Sequence, residues 1–588
     1  MGIGSGSAMA VSSSVSELFR GRPRAARWHP AGPGRLLPAA LLVLVVAAPV
    51  LQLAAYVGQP DEGLWAHLAA TTLLGHLRDT ALLVLGVALG TAVVGAGTAW
   101  LVTLYRFPGR RILNWALVLP LAMPTYVLAY AWTDLFQVTG PVQRALRALT
   151  GLSVQELWFP EIRSLGGAIF VLTFALYPYV YLLCRAAFVE QSQCALEVSR
   201  TLGCGAAEAF RRVGLPLARP ALAAGLAFVV METMADFGAV KHFEVGTLTT
   251  AIYRAWYALA SPVVAAQLAL LLLAAVALTL AAERWARGRA RFATGTVHIF
   301  RKRRVPLGGI AGLLAALACT LPVLLGFVLP VAGLLAMATG EQHEITSARL
   351  LEITLNTLKL GALSSLLVVG TALFGLFLAG RDRNVLTARL VQLATYGYAV
   401  PGAVVGVGLL LVLGSLDRTL DGLLRQLFGQ GLPWVLTGSL AGVLYGYLVR
   451  FYAVAYNALD AGMAKVSPAL VDVARVLGDR PLTAARRVHL PLLRPSLLTA
   501  LLLVLVDTMK ELPATLILRP FDFDTLAIEA YHLASTERLH AAALPSLVIV
   551  MAGLAPVVLL CRMLDRRRPN IGRAAAEALT SSRTDPRA

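Results

Sequence analysis

Charged residues are confined to short stretches of this chain, and between them lie long oily runs. Ten runs of at least 21 residues carry no Asp, Glu, Lys or Arg: 36–60, 80–105, 112–133, 164–184, 255–282, 305–340, 360–380, 390–416, 426–449 and 539–561. About 20 apolar residues cross a bilayer as a helix, so each run is a candidate span. Two further segments, around 221–240 and 496–517, are apolar but contain charges. The pattern therefore predicts an all-α, polytopic membrane protein with about twelve spanning helices. Helices satisfy their own backbone hydrogen bonds in lipid, and no run of alternating strand-like residues competes.

The pattern also repeats. Glu197-Val198-Ser199-Arg200-Thr201-Leu202-Gly203, nine residues, then Val213-Gly214-Leu215-Pro216 returns 275 residues later. The second copy is Asp472-Val473-Ala474-Arg475-Val476-Leu477-Gly478, nine residues, then Val488-His489-Leu490-Pro491. Arg211-Arg212 and Arg486-Arg487 precede the valines, and Arg219-Pro220 and Arg494-Pro495 follow. Asp79-Thr80, read as opening a second helix, matches Asn356-Thr357, and Pro124 matches Pro401, both at an offset of 277. Tyr181 pairs with Tyr456, and Glu232-Thr233-Met234 with Asp507-Thr508-Met509. The chain thus divides into two six-helix halves, 36–282 and 305–563. An even helix count gives both halves one orientation, a parallel repeat about an axis along the membrane normal. Residues 1–35 and 564–588 read as cytosolic tails and 283–304, with eight basic residues, as a cytosolic linker. The 25 uncharged residues at 36–60 exceed a secretory h-region and read as an uncleaved anchor.

Composition agrees: 58% of residues are hydrophobic and 14% charged, against roughly 25% charged in soluble domains. The net charge of +19 raises the question of nucleic acid, but its placement answers it. Arginines gather at 20–35, 106–111, 185–219, 284–304, 381–389, 475–494 and 562–573, while the intervening loops are poor in them. That is the positive-inside pattern, which puts both repeated loops and both termini in the cytosol. The basic excess then serves topology and contact with membrane lipid, with no nucleic-acid partner. Five cysteines without a CxxC spacing point to neither a disulfide framework nor a zinc site, and His242, His532 and His540 lack ligand-spaced partners.

Two intramembrane clusters stand out. Twelve uncharged residues separate Arg219 from Glu232, with Asp236 four further on. Twelve separate Arg494 from Asp507, with Lys510 and Glu511 behind it. Twelve helical residues reach about 18 Å into a core of about 30 Å, so these charges lie beyond the midplane. The spacing puts each acidic pair one turn apart on one helix face. Charges at that depth face a bundle interior or a cavity. One reading is a helix lock with Lys510 as its cation; the other is a translocation path or gate. Pro124 and Pro401 read in the same two ways, as packing kinks or gate elements.

Glu/Asp-x-Ser/Ala-x-x-x-Gly, nine residues, then hydrophobic-x-Leu-Pro resembles the EAA loop of importer-type ABC transporter permeases. Val198, Val473 and Asp472 depart from the family pattern. The resemblance implies a type I importer permease fold, with loops 190–220 and 465–495 forming coupling helices that dock on an ABC ATPase, two copies in all. Carried onto this chain, the coupling residues are Glu197, Arg200, Gly203, Arg211, Arg212, Leu215, Pro216, Asp472, Arg475, Gly478, Arg486, Arg487, Leu490 and Pro491. Gly203 suits a positive-φ helix end on its own account. None of the five lysines follows a glycine, so the chain lacks the P-loop lysine and ATP hydrolysis belongs to a separate subunit. The chain is read as a non-enzymatic transport subunit without cofactors, in a bacterial inner membrane, served by a periplasmic binding protein. The stretches 231–238 and 507–516, continuing to Leu518-Arg519-Pro520-Phe521 and Asp524-Thr525-Leu526-Ala527, are similar to fused ferric-iron permeases. Carboxylate oxygens suit a hard trivalent cation. Thiamine, phosphonate, polyamine and sulfate permeases share the architecture, and a gradient-driven secondary transporter is the alternative class.

Overall fold

The computed structural model describes residues 33–566 apart from 62, 191–200, 202, 204, 288–303, 340–344, 381–384, 430, 432–434, 465, 468, 469, 471, 472, 475 and 478–480. The first half contains α1 (Pro33–Ala54), α2 (Leu73–Leu104), α3 (Arg110–Ala116), α4 (Thr125–Phe136), α5 (Leu165–Glu190), α6 (Leu215–Ala235), α7 (Gly238–His242), α8 (Leu248–Tyr253) and α9 (Pro262–Arg287). The second contains α10 (Gly309–Val323), α11 (Leu329–Ala338), α12 (Ser347–Ala379), α13 (Val385–Ala394), α14 (Gly402–Phe428), α15 (Leu440–Met463), α16 (Leu490–Met509), α17 (Pro513–Leu518), α18 (Leu526–Ser535) and α19 (Leu539–Arg566).

Ten of the described helical stretches are long and apolar enough to cross a membrane, and the bent pair Arg110–Ala122 and Thr125–Thr150, counted as one broken span, brings the number to eleven. The twelfth required by the repeat is α15, whose 24 residues include Arg450 and are therefore less apolar. Here the charge-free run 426–449 misplaces the helix. Its first residues, to Phe428, form the end of α14, and the next helix starts only at Leu440 and continues past Arg450 to Met463.

Within each half the helices pack in the same way: α2 on α5 and α6, and α12 on α15 and α16. The α2–α5 contact shows why glycine is needed. A Cβ at Gly86 would come within 2.6 Å of Ile169, and one at Gly90 within 2.6 Å of Thr173, so the pair lets two backbones approach closely. The other face of α2 exposes Leu85, Leu89 and Val93, as a lipid-facing stripe does.

The opening helix of each half crosses to the other. α1 lies against α13 and α14, and α11 lies against α4. Both hydrophobic cores consequently draw on both halves. A short parallel pair, Tyr105–Arg106 with Val305–Pro306, joins the end of the basic linker to the turn after α2.

The repeat extends to single hydrogen bonds. The Thr80 hydroxyl accepts from Leu248 N (3.0 Å), and the Thr357 hydroxyl accepts from Leu526 N (2.8 Å). Thr247 and Thr525 cap α8 and α18 through their side chains. Thr80 and Thr357 lie within α2 and α12, downstream of their starts, so they pin these short helices and do not open the long ones.

Candidate translocation site

Both proline matches mark helix breaks and not kinks. Pro124 precedes α4 in extended conformation, and Pro401 precedes α14 in the same way. In the first half the axis turns by 97° across this break. Proline has no N–H to lose at a helix start, so the sequence sets the break there.

The spans carrying the acids break too. α6 stops at Ala235, and Asp236 is extended (φ −66°, ψ 131°). α16 stops at Met509, with Glu511 two residues past its end. Asp236 and Glu511 therefore do not share a helix face with Glu232 and Asp507, contrary to the one-turn spacing. Each instead caps the next short helix. Asp236 Oδ1 accepts from Ala239 N (3.0 Å) and Val240 N (3.2 Å). Glu511 accepts from Ala514 N (3.0 Å) and Thr515 N (2.9 Å). A helix start exposes unpaired N–H groups and a positive dipole end, and a buried carboxylate answers both.

The two halves complete these caps differently. Thr125 donates its hydroxyl to Asp236 Oδ2. Its counterpart in the second half is Gly402, at the helix offset of 277. The space so left is filled by Arg450 from α15, whose Nη1 reaches Glu511 Oε1 at 3.1 Å. The residue matching Arg450 at the loop offset of 275 is Ala175. One half thus completes its carboxylate cap with a neutral hydroxyl and the other with a cation. Lys510, the cation expected to lock the helices, pairs with Asp507 in its own segment (3.0 Å). The interhelical cation is Arg450. It sits at the edge of an uncharged run, and reading it as a helix boundary hid it. Glu232 accepts from Tyr398 OH across the halves (3.0 Å).

All five predicted membrane charges, Glu232, Asp236, Asp507, Lys510 and Glu511, line one cavity of about 140 Å³, together with Arg450, Tyr398 and Pro124. Among the described residues, no three His, Cys, Asp or Glu side chains converge as a metal-binding group. Asp236 and Glu511 are occupied as caps, which leaves Glu232 and Asp507 as the carboxylates with capacity to spare.

The loop residues lie elsewhere. Glu197, Arg200, Asp472, Arg475 and Gly478 fall outside the described residues. Gly203 has φ +84°, the left-handed geometry that its place after a helical stretch suggested. Arg211-Arg212 and Arg486-Arg487 lie on π turns, Phe210–Gly214 and Ala485–His489, again 275 apart. Arg212 pairs with Glu208 at 2.9 Å. Leu215-Pro216 and Leu490-Pro491 then open α6 and α16. At 1.5 Å per residue, the 21 residues of α6 separate this end from the cavity by about 30 Å.

The family described as the inner membrane component of binding-protein-dependent transport systems matches twice, over residues 86–290 and 371–569. The chain belongs to that family. It is a fused permease, with two copies of the family domain in one multi-pass inner-membrane polypeptide, and a transport subunit of an ABC importer in place of an enzyme. An ATPase and a substrate-binding protein are the partners this family implies. The Fe(3+)-transport system permease protein FbpB 2 of Haemophilus influenzae is 27% identical over 493 residues, covering 82% of this permease and 89% of that protein. The sulfate transport system permease protein CysT of Salmonella typhimurium is 31% identical over 203 residues, covering 34% of this chain and 70% of its own. A putative 2-aminoethylphosphonate transport system permease protein, PhnV, of the same species is 31% identical over 196 residues, covering 33% and 66%.

Proposed function

We propose that this permease carries ferric iron from periplasm to cytoplasm, and that the cavity around Glu232 and Asp507 lies on the path. The carrying observation is that the breaks before α4, after α6 and after α16, with Tyr398 ahead of the break before α14, line one space between the halves together with all five predicted charges. The resemblance of most of the chain to a ferric-iron permease supports the cargo. The likeness to sulfate and phosphonate permeases, over about a third of the chain, supports a second reading with an oxyanion cargo.

Energy enters at the other end of α6 and α16. Loops 190–220 and 465–495 act as coupling helices, each seated on one ATPase copy, with both termini and the 283–304 linker in the cytosol. The exposed arginine pairs on the π turns, Arg211-Arg212 and Arg486-Arg487, offer charge to an acidic partner surface. The π turns supply a local irregularity of the kind found at functional sites, where a push on the loop can be passed to the helix.

The test is uptake by cells lacking their own iron importer, supplied with this chain, its ATPase and its binding protein. Iron accumulation that depends on all three is expected, and sulfate or phosphonate uptake without iron uptake would reassign the cargo. Replacing Gly203 or Gly478 with a bulky residue should abolish uptake and weaken co-purification of the ATPase, with insertion intact. Normal co-purification and wild-type uptake in both variants would refute the coupling assignment.

A further inference from the structure

A second and larger cavity, about 910 Å³, adjoins the first and carries the opposite charge. Its lining includes three cations, Lys241, Arg254 and Arg519, against one carboxylate, Glu244. The central cavity has four carboxylates against two cations. Arg519 is paired with Asp524 at 2.5 Å. Lys241 and Arg254 are exposed and form no ion pair among the described residues. Their field therefore acts on whatever enters.

The two cavities share one wall residue, Phe237, which is 3% exposed. It stacks on Tyr253 with ring centroids 3.7 Å apart, and the Tyr253 hydroxyl donates to the Pro513 carbonyl of the other half. The large cavity is lined by segments beyond the far ends of α6 and α16 (241–258 and 516–521) and just before α15 (437–438), so it lies away from Leu215 and Leu490 and from the loops placed in the cytosol. A cargo moving inward meets a net positive space first and a net negative one second.

That order selects a chemistry. A bare trivalent cation is repelled by Lys241 and Arg254 before it reaches any carboxylate. A simple oxyanion passes the first space but is repelled by the second. A metal ion still wrapped in anionic oxygen ligands suits both, since its outer oxygens meet the cations and its metal centre favours Glu232 and Asp507. We infer that the outer cavity receives an anionic complex of a metal cation, with Lys241 and Arg254 as its receiving groups. This rests on the importer reading and narrows its cargo.

The test uses the full chain with its ATPase and binding protein in proteoliposomes. Uptake of radiolabelled iron supplied as the iron(III) citrate complex is compared with uptake of radiolabelled sulfate. K241Q/R254Q should lower iron uptake about ten-fold at low ionic strength, with the gap narrowing as salt is added. K241R/R254K should retain uptake. Unchanged or faster iron uptake by K241Q/R254Q would indicate a bare cation and overturn the inference. Sulfate uptake exceeding iron uptake in the unmodified protein would overturn it as well. A parallel rise in the binding-protein concentration that half-saturates ATP hydrolysis would assign the two cations to docking, and again overturn it. Unmodified vesicles that take up neither probe would sink the importer reading itself, and the inference with it.

Discussion

Arg450→Met is the substitution with the most to reveal. The Arg450 and Glu511 side chains are 15% and 2% exposed, and their 3.1 Å contact joins α15 to the break after α16. Removing one member of a buried pair costs about 3–5 kcal/mol, because the other is left charged and unpaired. Glu511 would keep its bonds from Ala514 N and Thr515 N, and the Thr515 hydroxyl at 2.5 Å, so the lower end of that range applies. Glu511→Gln leaves the guanidinium unpaired in turn, while the double variant removes both charges and should recover much of the loss. The expected coupling across the cycle is about 2 kcal/mol, above the 0.3–0.5 kcal/mol scatter of independent sites. Thermal or denaturant unfolding of the purified protein in nanodiscs measures it. Thr125→Ala, at the matching cap, deletes a hydrogen bond to a charged group, which is worth about 1.5–3 kcal/mol, and introduces no unpaired cation. Additive losses for Arg450 and Glu511 would refute the argument that one half is capped by an ion pair.

Arg163 and Glu537 tie the two halves at 2.6 Å in loops outside the spans, and the hydrogen bond from Arg163 holds the Glu537 carboxyl below its usual value. A lowered folded value means that the stabilisation is complete above the ordinary glutamate range and fades as the pH falls through the folded value. With Glu537 63% exposed, the pair is worth at most about 1 kcal/mol, so a small Tm deficit of Glu537→Gln at pH 7 should close in acid. Gly90→Leu should split α2 from α5 and lower the Tm strongly, while Gly97→Leu, where nothing lies within 4 Å, should not; equal losses would disprove the close-packing argument. Cysteines placed at 205 and 480 should resist an impermeant label added outside the cell and those at 150 and 420 should accept it, with labelling at 480 contradicting the proposed orientation.

Much of the fold was legible because lipid imposes a simple rule on sequence, a charge-free length per crossing. The rule failed where a charge is buried with a partner. Arg450 ended a run too early because its partner, Glu511, lies 61 residues away and no local pattern announces it. The acids at 232, 236, 507 and 511 were legible as a group by depth, and the cavity gathers them. Their division of labour was not. A helix interior and a helix end both place an acid four residues after another, and only the backbone at Asp236 distinguishes them. Two signals were available and unread: Thr125 against Gly402, and Ala175 against Arg450, each a mismatch at an otherwise repeated position. Mismatch within a repeat marks the place where the halves differ in task.

The crossing of α1 onto α13 and α14 has a consequence for synthesis. Some 330 residues separate Ala54 from Val385, which at about 5–20 residues per second means that α1 waits roughly 15 s to a minute for its partner. In water such an exposed apolar helix would be an aggregation hazard. In lipid it is already in a good solvent, since acyl chains solvate leucine as well as a neighbouring helix does. The membrane thus acts as a store in which early helices are held, oriented and unpaired, until the second half arrives to meet them.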